Sequence, residues 1–254
     1  MDPATSMPTV EQMLTYGSID DQQEALNLLS RMKTPRADRM LVQWMNNLLN
    51  DGIQNGIRLE TVAAAESRKE NPELNQLLGK YRTYLESDSW NQFKGALEGG
   101  NIARGEVVFF NKPEAQCIRC HQVNGRGGTM GPQLADISQR LDRQQILESI
   151  LFPNKAIAEG FETSLITMKN GTVYQGRIFE ETDSQLVVET FPDDEELAFS
   201  GRLPKAVKQI LDVNQIESRT RALSSMPEGI AELLSISDLR DLVEFLFTSE
   251  LEEN

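Results

Sequence analysis

The sequence predicts a mainly α-helical chain with one small antiparallel β module inserted in its second half. Apolar residues recur at helical spacing from about residue 8 to residue 96 and again after residue 235. Between about 161 and 219 the pattern changes to short runs rich in β-branched and aromatic residues. Those two periodicities, 3.6 and 2, separate helix from strand.

The helical part can be justified segment by segment. Asp20 and Asp21 are expected to cap a helix whose apolar positions are Ala25, Leu28, Leu29 and Met32. Pro35 opens the next, with a stripe of Met40, Leu41, Trp44, Met45 and Leu48 that ends at Asp51-Gly52. An Ala-rich helix covers Leu59 to Arg68, and Pro72 starts another that carries Leu74, Leu77, Leu78, Tyr81 and Leu85. Such paired antiparallel helices resemble HEAT or armadillo units, although no clean repeat period is present. Met and Trp at these positions are core residues, and the region is read as scaffold.

Gly99-Gly100 marks a boundary. The helix beyond it, Asn101 to Phe110, has Gly105 and Phe109 on one face, where the C-terminal helix is expected to approach. That last helix follows a Ser235/Asp238 capping box and repeats Leu239, Leu242, Val243 and Leu246, with Phe245 beside the stripe. Asp142 with Gln145 caps a helix that bears Ile146, Leu147, Ile150 and Leu151 and stops before Phe152-Pro153. The strands are Phe161 to Met168, Val173 to Phe179 and Gln185 to Thr190, with Gln209 to Leu211 and Ile216 to Arg219 completing the sheet. Asn170-Gly171 reads as a two-residue primed hairpin turn, and the acidic run Phe191 to Glu196 as a solvated loop tip.

Length and charge bound the class. The 254 residues suggest one or two domains, enough to bury about 70–75% of the unfolded surface. No apolar run approaches the ~18 residues of a membrane span, and the N-terminus lacks the basic-then-apolar form of a signal peptide. Met1 to Ser6 resembles a cloning scar and is set aside, and the chain is expected to be a fragment of a larger exported protein, as the attachment chemistry of the cluster at Cys117 and Cys120 requires. A net charge of −14 argues against nucleic acid. It suits a basic partner, or serves only to keep the protein soluble.

The soft-ligand chemistry lies in five positions. Cys117-Ile118-Arg119-Cys120-His121 holds both cysteines and the only histidine of the chain. Cysteines three apart on one helical turn present both sulfurs to one side, and C-x-x-C-H reads as c-type haem attachment with His121 as an axial iron ligand. A structural zinc site needs four ligands, and the chain offers three such residues in a single cluster. A redox dithiol needs a βαβ context, whereas Phe109 to Pro113 reads as a helix end and a loop.

From Asn101 onward the sequence resembles the cytochrome c domains of the Pirellula/Verrucomicrobium haem-binding type. The landmarks are C-I-R-C-H at 117–121, G-P-Q-L at 131–134, F-P-N at 152–154, K-N-G-T-V-Y-Q-G at 169–176, S-S-M-P-E-G at 224–229 and D-L-R-D-L-V-E-F-L at 238–246. The resemblance implies a helical HEAT-like region over 7–96 and a class I-like cytochrome c fold over 97–254, interrupted by a β module at about 158–222. It also implies one covalent haem c, with Cys117 and Cys120 as attachment points, His121 and Met226 as axial ligands, and the Pro132 carbonyl as acceptor for the second nitrogen of His121. Met130, nine residues after His121, is the competing methionine and lies in the loop expected on the proximal side. The expected role is electron transfer to a redox partner protein or a fused dehydrogenase domain, in the periplasm or another extracytoplasmic compartment. Haem catalysis or gas sensing requires Met226 to leave iron, and a non-redox helical scaffold requires no haem at all.

Overall fold

The computed structural model of the chain describes residues 3–190 and 206–250. The described helices are α1 (Pro3–Tyr16), α2 (Ile19–Arg31), α3 (Pro35–Leu49), α4 (Arg58–Glu66), α5 (Pro72–Ser87), α6 (Ile102–Asn111), α7 (Cys117–Cys120), α8 (Arg143–Leu151) and α9 (Ile236–Thr248). The described strands are β1 (Gln122–Val123), β2 (Arg126–Gly127), β3 (Thr163–Met168), β4 (Val173–Glu181), β5 (Gln185–Thr190), β6 (Val207–Asp212) and β7 (Ile216–Arg221). The protein is mainly α with a small antiparallel sheet. By packing it divides into Met1–Gly105 with Ile236–Glu244, and Glu106–Ser235 with Phe245–Asn254.

In the first unit α1 packs on α2, α2 on α4, and α3 on both α4 and α5. The core stripe of α3 is Leu41, Met45 and Leu48, and that of α5 is Leu74, Leu77 and Leu78, all buried. Local chemistry sets the helix starts. Thr34 and Asn71 accept backbone N–H bonds ahead of Pro35 and Pro72, where a missing proline N–H costs nothing. The cap of α2 differs from expectation: Ser18, not Asp20 or Asp21, is the N-cap. Its hydroxyl accepts the Asp21 N–H while the Asp21 carboxylate accepts the Ser18 N–H, so the acid acts as the third-residue partner of a capping box. Helix α1 starts at Pro3, inside the segment set aside as scar-like.

The α9 backbone comes close at Gly100, where a Cβ would lie 2.4 Å from the Arg240 carbonyl oxygen. Arg240 then forms a two-pronged ion pair with Glu60, Nη1–Oε2 3.0 Å and Nη2–Oε1 2.9 Å, with both side chains at least 85% buried. Stranding one member of a buried pair costs more than the pair contributes. Arg240→Met should therefore destabilise the protein by about 3–5 kcal/mol. Adding Glu60→Gln should recover much of that loss, as read from denaturant midpoints.

The second unit contains the sheet, whose order is β6-β5-β4-β3-β7 with every pairing antiparallel. Ile166, Met168, Leu186, Val188 and Leu211 form its buried face, matching the period-2 pattern. A register shift between Ile178 and Glu180 accompanies the extension of β4 to Glu181. The acidic run Phe191 to Glu196 lies outside the described residues.

The β3–β4 turn is not the two-residue turn expected. The Met168 carbonyl accepts the Gly171 N–H at 2.8 Å and the Met168 N–H donates to Thr172 O at 2.8 Å, so the loop has three residues, Lys169 to Gly171. A primed turn needs both central residues at positive φ. Here only Gly171 is left-handed, at φ +85°, while the Asn170 side-chain oxygen accepts the Thr172 N–H at 2.9 Å.

Helices α6 and α9 meet in this unit through aromatic rings. Phe109 and Phe245 have centroids 5.7 Å apart, and Phe110 lies 6.1 Å from Phe245 and 4.8 Å from Phe109. Such edge and tilted contacts add to plain burial. The Asp142/Gln145 capping box is present at the start of α8.

Candidate haem-attachment site

The stretch that holds the cysteines follows α6 through a short turn. Ala115 and Gln116 donate backbone bonds to the Lys112 carbonyl, and Gln116 takes a left-handed conformation, φ +48°, as it enters α7. A single turn of four residues has no helical stability of its own. Its carbonyls are satisfied from outside: Gly128 N–H donates to Ile118 O at 2.8 Å, and Gly131 N–H donates to Cys120 O at 2.7 Å. These bonds replace what a longer helix would supply.

The returning chain that makes them is set by a hairpin. Asn124 and Gly125 both have positive φ, +50° and +72°, between the paired residues Val123 and Arg126. This is the two-residue primed Asn-Gly turn, found here rather than at Asn170-Gly171. It turns the chain back beneath α7, and two glycines allow the contact. A Cβ on Gly128 would stand 2.0 Å from the Arg119 carbonyl oxygen. One on Gly131 would fall 2.4, 2.6 and 2.9 Å from Cε1, Nδ1 and Nε2 of the His121 ring. Spacing alone gives Gly128 no role, and Gly131 enters the sequence analysis only as the first residue of the G-P-Q-L stretch. Their signal was present as four glycines within seven positions, 125 to 131.

His121 is thereby held on several sides. Its N–H donates to Cys117 O at 2.9 Å, its ring face lies against Gly131, and its Nδ1 is 3.0 Å from the Pro132 carbonyl oxygen. A carbonyl only accepts, so Nδ1 carries the proton and Nε2 keeps its lone pair. Burial pushes the imidazole pKa below its ordinary value, with the Pro132 bond pulling the other way. The ring is neutral at physiological pH.

Both cysteines are free and half-buried. Burial pushes the Cys117 thiol up to about 12 and raises Cys120 as well, against the pull of the Arg119 charge. Unmodified, both are thiols near neutrality. Cys120 Sγ lies 3.6 Å from Met130 Sδ, so the competing methionine packs against the attachment turn.

Cys117, Cys120, His121 and Pro132 are thus gathered in one continuous loop. Met226 stands on a separate segment between β7 and a 3-10 turn at Ile230–Leu233. Its N–H donates to Ser224 Oγ at 3.1 Å. Asn154 of the F-P-N stretch accepts the Ser224 N–H at 2.7 Å and donates to Glu228 Oε1 at 2.5 Å.

Residues 102–189, from α6 into β5, match the protein-family model of cytochrome c. That stretch is similar to cytochrome c. No curated protein matches the chain. A cytochrome c domain implies covalently bound haem c, an electron-transfer role and redox partners, and such domains are typically extracytoplasmic. Among the described residues no helix is long and apolar enough to cross a membrane.

The donor set of residues 117–132 fits that group. It supplies two free thiols on one turn, a neutral imidazole with one nitrogen already committed to a carbonyl, and a glycine whose missing side chain lets the backbone pack directly on the ring. A carbonyl that accepts from the far ring nitrogen fixes tautomer and orientation at metal-binding histidines.

Proposed function

We propose that this chain transfers electrons through a single haem c attached at Cys117 and Cys120, ligated by His121 and Met226, as a module of a larger exported redox protein. The observation that carries the reading is the His121 environment: Nδ1 tied to Pro132 O at 3.0 Å with the ring set against Gly131. That arrangement orients Nε2 as a donor and prevents the ring from rotating away. Bound there, haem supplies a one-electron ferric/ferrous couple.

The protein's own residues do the rest. The two thiols are consumed as thioethers, so their high pKa has no bearing on the matured protein. Met226 offers a soft sulfur that favours the reduced iron, and Pro227 restricts the backbone beside it. With both axial positions filled by protein, no coordination position is left for a substrate. The helical unit serves as a scaffold that presents this domain, and the acidic surface steers a basic redox partner or a fused dehydrogenase domain.

The test is intact mass under denaturing conditions, on protein exported together with haem-ligation machinery. The expected result is one haem per chain, lost completely in Cys117→Ser/Cys120→Ser because no other sulfhydryl exists in the sequence. A matured preparation without added haem mass would overturn the reading. A high-spin ferric spectrum with ready carbon monoxide binding would shift it to catalysis or gas sensing.

A further inference from the structure

The β module leaves the helical part of its unit after Asn154 and returns at Leu223, and one side chain closes that neck. Asn154 Oδ1 accepts the Ser224 N–H at 2.7 Å, and Asn154 Nδ2 donates to the Glu228 carboxylate at 2.5 Å. The two partners fix the amide orientation, since an N–H must meet the oxygen and a carboxylate the nitrogen. Ser224 and Glu228 stand two residues before and two residues after Met226. The Ser224 hydroxyl then accepts the Met226 N–H at 3.1 Å. Thr163 steadies the same strand end, its hydroxyl donating to Leu223 O at 2.6 Å and its carbonyl accepting the Ala222 N–H at 2.9 Å.

We infer that Asn154 is a positioning residue for Met226, holding both shoulders of the ligand loop so that the thioether is presented to iron without the loop having to order itself on each encounter. The inference rests on Met226 being the distal ligand. Its physical content is entropic. A five-residue segment from Ser224 to Glu228 free to move would lose conformational freedom each time the sulfur bound, whereas a segment clamped at both ends has lost it at folding. One asparagine, 70 and 74 positions distant from its partners, performs this for the whole loop.

The clamp can be taken apart one arm at a time. Asn154→Asp keeps the acceptor for Ser224 but sets a carboxylate against that of Glu228. Glu228→Gln restores the missing donor, so the double variant Asn154→Asp/Glu228→Gln rebuilds the pair with its polarity reversed. Two readouts on the full haem-loaded chain apply: the rate of carbon monoxide binding to the reduced protein, which requires Met226 to leave iron, and the exchange rates of the Ser224 and Met226 amides. Asn154→Asp should raise carbon monoxide binding about tenfold, the worth of one charge-assisted bond, and should speed amide exchange. The double variant should bring both back toward the wild type, which a merely destabilised fold would not do. Wild-type rates in Asn154→Asp, or a double variant no better than the single, would overturn the inference. Met226→Ala serves as the reference. If it too binds carbon monoxide at the wild-type rate, the ligand assignment fails and takes this inference with it; if it binds fast while Asn154→Asp does not, only the clamp fails.

Discussion

Replacing Met226 by Ala is expected to leave covalent haem in place, open the sixth coordination position to carbon monoxide in the reduced protein, and lower the reduction potential on the order of 0.1 V or more. The magnitude is a modest share of the roughly 0.8 V over which axial ligands set haem potentials. Its sign follows from the preference of thioether sulfur for ferrous iron. The substitution is clean, because the bonds that hold the loop involve backbone at Ser224 and Met226 and side chains at Ser224, Asn154 and Glu228. What is removed is the Met226 side chain beyond Cβ, its sulfur included, and none of those bonds uses it. An unchanged potential by redox titration would strip Met226 of its assigned role. Met130→Ala should leave the potential near its original value, since that sulfur packs 3.6 Å from Cys120 Sγ beside the attachment turn.

The second large effect is expected at Gly131. A methyl group there would stand within 3 Å of three atoms of the His121 ring, closer than unstrained carbon contacts allow. Two responses are open to the protein. The ring can swing away, which breaks the Nδ1 bond to Pro132 O and misdirects Nε2. Otherwise the backbone can lift, which stretches the Gly131 N–H bond to Cys120 O and uncaps the attachment turn. Either route carries the overpacking cost of a filled interior, about 1–3 kcal/mol. Gly131→Ala should therefore lower the unfolding midpoint and, with both cysteines intact, still carry covalent haem, now with a partly high-spin ferric spectrum. A wild-type midpoint and spectrum would mean that His121 is not gripped from this side. Gly125→Ala serves as a comparison, because a Cβ there meets nothing within 4 Å, so its cost comes only from the positive φ of the turn.

The two sites differ in how visible they are in the sequence. The attachment turn is short-range: Cys117 to Pro132 spans sixteen consecutive residues, and the chemistry of its residue types is carried by their spacing. The grip on His121 is not, because Gly131 reads as ordinary turn glycine until the returning chain is seen to cross the ring. The Asn-Gly pairs make the same point. Asn170-Gly171 has the flanking strands of a primed hairpin, yet closes as a three-residue loop once Asn170 bonds its own backbone two residues on. Asn124-Gly125 lacks those flanks and forms the primed turn. Local dipeptide preference is weaker than the tertiary closure that each turn must satisfy.

By itself the amino-acid sequence determined what short-range physics can read. The periodic apolar stripes assign helices and strands with their ends a few residues out, the prolines at 35 and 72 start their helices, and the Asp142/Gln145 box starts another. The five-residue Cys-His cluster announces its chemistry because that chemistry needs only neighbours. Tertiary structure alone decided which distant groups meet: Arg240 with Glu60 across 180 positions, Asn154 with both sides of the Met226 loop across more than 70, and α9 with Gly100. The reason is the range of the forces involved. Capping and periodicity act within one turn or one strand repeat, whereas a buried ion pair or a side-chain clamp exists only after burial has excluded water and loop closure has brought its partners together.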